Sequence, residues 1–319
     1  MENGFSKILL TFDVELFFGQ KSGTLENCII EPSERILKQL EKSSAVGTFF
    51  IDASYLLFLK EYSLKDNLKK IELLINRIES ANCEVGLHIH PHWIDASYSK
   101  MGNCQFNSYN NYSINSFAGS YYEYCMKAHD LLSEYLNGPS IKSFRAGGYC
   151  SQPFCEIEKV FQKTDISIDS SVVPLFKSST EPFSFDYTNI AEAEPYRFEK
   201  DNTVLDNSGK NLELPVSCIE MSGPKRIYEK IKRIGRSKKK FGDGSGLRFD
   251  NKFLNRFKKV RKVLTLDDCS SQEINSALKK LNYANVVSHP KNFTLSSLNI
   301  LNSILNNSSY LFFRCRDDF

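Results

Sequence analysis

KILLTFDVE, residues 7–15, is a run of apolar, β-favouring residues that closes on two carboxylates, Asp13 and Glu15. Its composition predicts a buried strand with acids at its carboxyl end. Outward from it, PSERILKQLEKS (32–43) has Pro32 near a helix start and apolar residues at Ile36, Leu37 and Leu40, and VGTFFID (46–52) reads as a second strand. Strand, helix, strand is a βαβ opening. The alternation continues as LKDNLKKIELLINRIES (64–80) leads into CEVGLHI (83–89), and YYEYCMKAHDLLSEYL (121–136) into IKSFRAG (141–147). Further strand candidates are DISIDSSV (165–172), LELPVSCI (212–219), ANVVSHP (284–290) and SYLFFRC (309–315). This pattern predicts an α/β fold with a parallel sheet, open or closed into a barrel, whose chemistry sits at the carboxyl ends of the strands.

The chain has 319 residues, 41% of them hydrophobic, enough for a substantial core. Its apolar runs fall short of the roughly 18 residues that span a bilayer. MENGFSK lacks the basic start and apolar stretch of a signal peptide, so a cytoplasmic protein is expected. Nine cysteines, an odd number without a C-x-x-C pair, predict reduced structural thiols rather than a disulfide framework or a cysteine zinc site. Net charge is +3, but Met221–Lys262 holds 16 Lys and Arg against 3 acids. Residues 221–265 are therefore expected to form a basic helical insertion within a single domain spanning 1–319. Its two helix-like pieces, KRIYEKIKRIGRSKKK and NKFLNRFKKVRKVL, are joined by FGDGSG, which reads as a turn or mobile loop. Phe249, Phe253 and Phe257 recur every four residues, as do Ile227 and Ile231, giving an amphipathic basic surface. Such a surface suits an anionic membrane face or a pyrophosphate-linked lipid substrate, which would hold the protein peripherally at the inner membrane face. Nucleic acid is the weaker expectation.

Five polar clusters fall at predicted strand ends: Asp13 with Glu15, the histidines of HIHPH (His88, His90, His92), Arg145, Asp169 and His289. Two imidazoles and a carboxylate make an open site for zinc or another divalent transition metal. Pro91 suits the first turn of a helix, so His88 can end the strand while His92 sits just inside the helix and both meet one ion. Were the chain to stay extended through Pro91, all three histidines would share a face. A water activated by the ion still gains from a general base, and the departing group needs an acid; Asp13 and His289 are the candidates.

In chain order, TFDVE, TFFID, EVGLHIHPH, FRAGGY, IDSSV, ELPVS and VVSHPKN resemble the motifs of the polysaccharide deacetylase superfamily, carbohydrate esterase family 4 with its NodB-homology domain. The likeness is greatest to a divergent D-x-E or D-x-D branch associated with polysaccharide biosynthesis. The resemblance implies a distorted (β/α)7-type barrel and metal-dependent hydrolysis of an N-acyl group, chiefly N-acetyl, on a sugar or lipid-linked glycan during surface-polysaccharide assembly. It implies Asp13 as base, His289 as acid, Arg145 as the partner orienting Asp13, and Asp169 as support for the arginine. It implies His88 and His92 as ligands of an ion, zinc foremost. Val14 stands where secreted relatives carry a second, ligating aspartate, and the resemblance implies that Glu15 takes over that role. It also implies that His90, with Trp93 and Tyr149, falls on the substrate side. RAGGY lacks the family's usual proline. Alternatives on the same fold are an N-deformylase, a hydrolase of small non-sugar amides, and a catalytically silent barrel that binds a glycan or a partner. The aromatics of YNNYSINSFAGSYYEY (109–124) are compatible with sugar stacking, although such residues are more often core.

Overall fold

The opening run forms an interior strand of the main sheet in the computed structural model, which describes residues 6–99, 104–106, 114–180, 183–221, 239–246 and 260–318. The strands of the main sheet are β1 (Ser6–Val14), β2 (Thr48–Asp52), β3 (Glu84–Ile89), β6 (Ser143–Ala146), β7 (Ile168–Asp169), β10 (Tyr196–Phe198), β11 (Asn211–Glu213), β14 (Tyr283–Ser288) and β15 (Tyr310–Phe313). Among the described residues three two-stranded ribbons accompany it: β4 (Ser97–Tyr98) with β5 (Cys104–Gln105), β8 (Lys177–Thr180) with β9 (Phe183–Asp186), and β12 (Cys218–Met221) with β13 (Val260–Val263). The described α-helices are α1 (Glu31–Lys42), α2 (Ala53–Glu61), α3 (Lys65–Ser80), α4 (Tyr121–Ser133), α5 (Cys155–Phe161), α6 (Ser271–Leu278) and α7 (Leu295–Leu305). None among the described residues is long and apolar enough to cross a membrane.

The sheet order is β10-β11-β7-β6-β3-β2-β1-β14, with β15 on the first half of β1 and β2 on the second. From β11 to β14 seven strands run parallel; only β10 is antiparallel to its neighbour. The sheet curls until β14 faces the segment after β11. There Ser217 N donates to Asn285 O (3.1 Å), Asn285 N to Ser217 Oγ (3.0 Å) and Asn285 Nδ2 to Leu214 O (3.0 Å). Pro215 has no N–H to offer a ladder, so side chains help to close the barrel where regular pairing fails.

Helix stripes such as Ile36, Leu37 and Leu40 of α1, and Ile71, Leu74, Ile75 and Ile78 of α3, bury against the outside of the sheet. The interior is narrow. A Cβ on Gly86 would lie 2.6 Å from Phe50 Cδ1 and 2.7 Å from Ser143 Oγ, so glycine is what lets the Phe50 ring occupy the barrel. Towards the amino ends, Glu84 accepts from Thr48 Oγ1 (2.9 Å), Ser143 Oγ (2.8 Å) and Arg316 N (3.0 Å), tying the C-terminal tail under the barrel. Burial pushes the Glu84 carboxyl up.

The basic stretch leaves and returns at one point, since Met221 pairs with Val260 across the β12–β13 ribbon. Most of the expected insertion, 222–238 and 247–259, lies outside the described residues, including Phe249, Phe253, Phe257, Ile227 and Ile231. Two expectations are corrected at its edges. Val260–Val263 is a strand, not the end of a helix, because β12 offers it a ladder. FGDGSG is docked: Phe241 N donates to Phe293 O (2.9 Å), Gly242 N to Lys291 O (3.1 Å), Ser245 N to Lys21 O (2.8 Å), and Thr24 N to Asp243 Oδ1 (2.8 Å). All nine cysteines are free thiols.

Candidate active site

Period-two alternation sends Asp13 and Glu15 to the same interior face at the carboxyl end of β1, where they are 3% and 5% exposed. Asp13 Oδ1 accepts from a guanidinium N–H of the fully buried Arg145 at 2.6 Å. Three further N–H groups of Arg145 are held by Ser170 O (2.8 Å), Ser170 Oγ (2.8 Å) and Thr11 Oγ1 (3.0 Å), and its Cζ lies 4.2 Å from the Phe50 ring centre. Burial raises the Asp13 pKa, but Arg145, then His88 and His289, outweigh it and hold the carboxyl below its ordinary value. The Asp13 carboxylate is therefore ionised and fixed in direction.

Glu15 is the hub. Its Oε2 lies 3.1 Å from His88 Nε2 and 3.0 Å from His90 Nε2, while Oε1 accepts from Lys291 Nζ at 2.7 Å. One ligand atom from each of Glu15, His88 and His90 falls within 4.8 Å of the others. His88 Nδ1 donates to Arg145 O at 2.7 Å, and His90 Nδ1 lies 3.4 Å from Asp52 Oδ2. An Nδ1 turned to an acceptor leaves Nε2 for a metal, the outer-shell arrangement of histidine metal sites, so the donor set fits a divalent ion with three protein ligands and open positions. Burial opposes charge on His90, yet Glu15 and Asp52 push it up to about 9; Glu15 itself is held well below its ordinary range against burial, by Lys291 and His90.

His92 is not part of this cluster, which corrects the expected Glu15, His88, His92 set. The backbone stays extended at His90 (φ −115°, ψ 97°), so His88 and His90 share a face. Pro91 then starts a 3-10 turn, Pro91–Asp95, that carries His92 away. His92 packs edge-on to Phe18, ring centres 3.9 Å apart, and 5.0 Å from Phe106; burial, then His90, holds its pKa well down. His90 thus stands in the cluster with Glu15 and His88. Trp93 is corrected too: it is 2% exposed, outside the cleft lining, donates to Asp52 Oδ2 (2.8 Å) and packs on Tyr55 and Phe58.

Across the cleft, His289 Nε2 lies 3.8 Å from Asp13 Oδ2 and 3.7 Å from Glu15 Oε1, with its Nδ1 3.0 Å from Asp267 Oδ2. Burial opposes charge there, but Asp267, Glu15 and Asp13 raise its pKa. Tyr149 lines the cleft at φ 62°, after Gly148 at φ 59°, and its carbonyl accepts from Tyr187 OH (2.6 Å). Asp169 sits apart from Arg145: it accepts from Ser171 Oγ and Asn202 Nδ2 (both 2.6 Å), and Ser170 supports the guanidinium instead. Tyr121 of the aromatic stretch is buried core, while 107–113 lie outside the described residues. Sequence reasoning passed over Lys291, Asp52 and Asp267. Asp52 and Lys291 carried a signal in their places at or just past strand ends; Asp267, on an irregular segment, carried none.

Asp13, Glu15, His88, His90, His289 and Lys291 line a cleft of about 320 Å³. A larger hollow, about 1080 Å³, lies around Lys7 and Tyr283 at the amino ends of β1 and β14 and has none of the convergent groups. No family model and no curated protein matches the sequence. Solved structures do. A probable polysaccharide deacetylase from Pseudomonas aeruginosa PAO1 aligns with TM-score 0.51 and 12% identity over 98% of this chain and 89% of its own. A polysaccharide deacetylase from Mycobacterium smegmatis aligns with TM-score 0.50 and 12% identity over 97% and 87%. The chain has the polysaccharide-deacetylase fold. A Puue allantoinase shares this fold equally, with TM-score 0.50 and 11% identity over 98% of this chain and 88% of its own. The polysaccharide-deacetylase fold therefore does not select the substrate, and the chemistry has to be argued from the site.

Proposed function

We propose that the protein is a metal-dependent hydrolase that removes an N-acyl group, N-acetyl foremost, from a sugar during surface-polysaccharide assembly. The observation that carries this is the convergence of Glu15 Oε2, His88 Nε2 and His90 Nε2 beside an ionised Asp13 and a histidine held by Asp267. A divalent ion held by Glu15, His88 and His90, with zinc favoured by the mixed N/O donor set, would polarise the acyl carbonyl and acidify a water. Asp13, its Oδ1 tied to Arg145, takes the proton of the attacking water on Oδ2. His289, its pKa raised by Asp267, holds a proton on Nε2 for the departing amine. Tyr149 walls the cleft, whose volume of about 320 Å³ suits a single sugar unit with its acyl arm. Nine free thiols favour the cytoplasmic side of the membrane. Segment 239–246 brings the middle of the basic run to the cleft rim, through Lys240 and Gly246, which favours a glycan presented at an anionic, lipid-linked surface.

The equal likeness to an allantoinase favours a small-amide hydrolase as the second reading. The experiment is to strip the protein of metal, reload it, and assay released acetate and formate from N-acyl sugars alongside small ureides and amides. Metal-restored acetate release from sugars supports the first reading and metal-restored formate release an N-deformylase. Turnover confined to small amides supports the second, and no turnover after reloading leaves a silent binding barrel.

A further inference from the structure

Lys291 is 5% exposed inside the cleft wall, where a lysine is rare unless paired. Its Nζ donates to Glu15 Oε1 at 2.7 Å and to Leu16 O at 2.6 Å, and lies 5.0 and 4.9 Å from the ring centres of Phe17 and Phe18. Its backbone is braced as well. Pro290 opens the turn that holds it, and its carbonyl accepts from Gly242 N at 3.1 Å. A Cβ at Gly242 would stand 2.4 Å from that carbonyl and 2.7 Å from Phe17 Cε2, so only glycine lets the segment from the basic insertion press there. The ammonium is thus fixed from side chain and main chain together.

We propose that Lys291 is a positioning residue that restricts Glu15 to coordination through one oxygen, keeping the remaining positions of the ion open for water and substrate. The inference rests on the metal reading above. Glu15 has two oxygens, and the two imidazoles flank only Oε2. Oε1 is occupied by a charge-assisted hydrogen bond, and a divalent ion approaching it would also meet a fixed like charge. Without the ammonium, a carboxylate in this place is free to chelate through both oxygens and fill a position the reaction needs. The role predicts an unusual combination: loss of Lys291 leaves the ion bound at least as well, since a repelling charge has gone, yet changes its coordination and impairs turnover.

The test is cobalt(II) substitution of the full chain, comparing wild type, Lys291→Met and Lys291→Arg by cobalt affinity, visible spectrum and turnover. In Lys291→Met, cobalt should bind no more weakly than in wild type. Its visible bands should weaken as coordination number rises, and turnover should fall about 10- to 100-fold, as for other outer-shell changes. Lys291→Arg, which keeps a cationic donor, should keep the wild-type spectrum. Unchanged bands in Lys291→Met, or loss of the ion from it, would overturn the inference while leaving the metal reading intact. A wild-type protein that takes up no cobalt would overturn the metal reading itself. Should Lys291→Met not fold, zinc-edge X-ray absorption of the wild type decides: one carboxylate oxygen at bonding distance supports the role, and two contradict it.

Discussion

Asp13 shows how one side chain is prepared for its task by neighbours on other strands. Arg145, from β6, takes Oδ1 at 2.6 Å and keeps the group ionised, while Oδ2 faces His289 from beyond β14. Asp13→Asn keeps the shape and removes the basic carboxylate. Turnover of the reloaded enzyme should fall about 10²- to 10⁴-fold with metal content unchanged, checked by steady-state kinetics beside elemental analysis. A loss below threefold would assign the base elsewhere. At this scale the sequence was legible wherever a residue's place follows from its own strand: Asp13, Glu15, His88, Arg145 and His289 all stand at or just past a predicted strand end. It was illegible where one torsion decides, as at His90, whose extended backbone swaps the second imidazole from His92 to His90. Lys291 and Asp267 were missed because their meaning comes from Glu15 and His289, partners 276 and 22 residues away.

Elements here hold buried acids whose pKa burial raises. At the β7–β11 pairing, Glu213 stands beside Asp169 and accepts from Val172 N at 3.1 Å; burial, then Asp169, pushes the Glu213 carboxyl well above its ordinary value. A carboxyl whose folded pKa is raised contributes stability that is complete below the unfolded pKa, about 4.3, and is lost as pH rises towards the folded value. The urea midpoint should therefore drop as pH climbs from about 5 into the neutral range, and Glu213→Gln, which cannot ionise, should flatten that slope. A variant with the wild-type slope would mean that Glu213 titrates normally. The alternation of strands and helices was readable because each buried strand is a short apolar run and each outer helix an amphipathic stripe. The irregular closure at 214–217 was not, since Asn285 and Ser217 make it with side chains.

For the whole molecule, the docked segment 239–246 joins the basic run to the cleft at the carboxyl end of the barrel, so surface attachment and the proposed chemistry would share one face. Cosedimentation with anionic vesicles, but not neutral ones, is expected at low salt and should weaken at high salt. Binding that ignores lipid charge and salt would separate the basic run from membrane attachment. The central claim is that the barrel's polar mouth is a metal centre built by Glu15, His88 and His90. Elemental analysis after reloading and dialysis, on wild type, His90→Ala and His92→Ala, tests it most directly. The account predicts one divalent ion per chain in wild type and in His92→Ala, and most of it lost in His90→Ala. Full occupancy in His90→Ala with loss in His92→Ala, or no ion in any of the three, would contradict it.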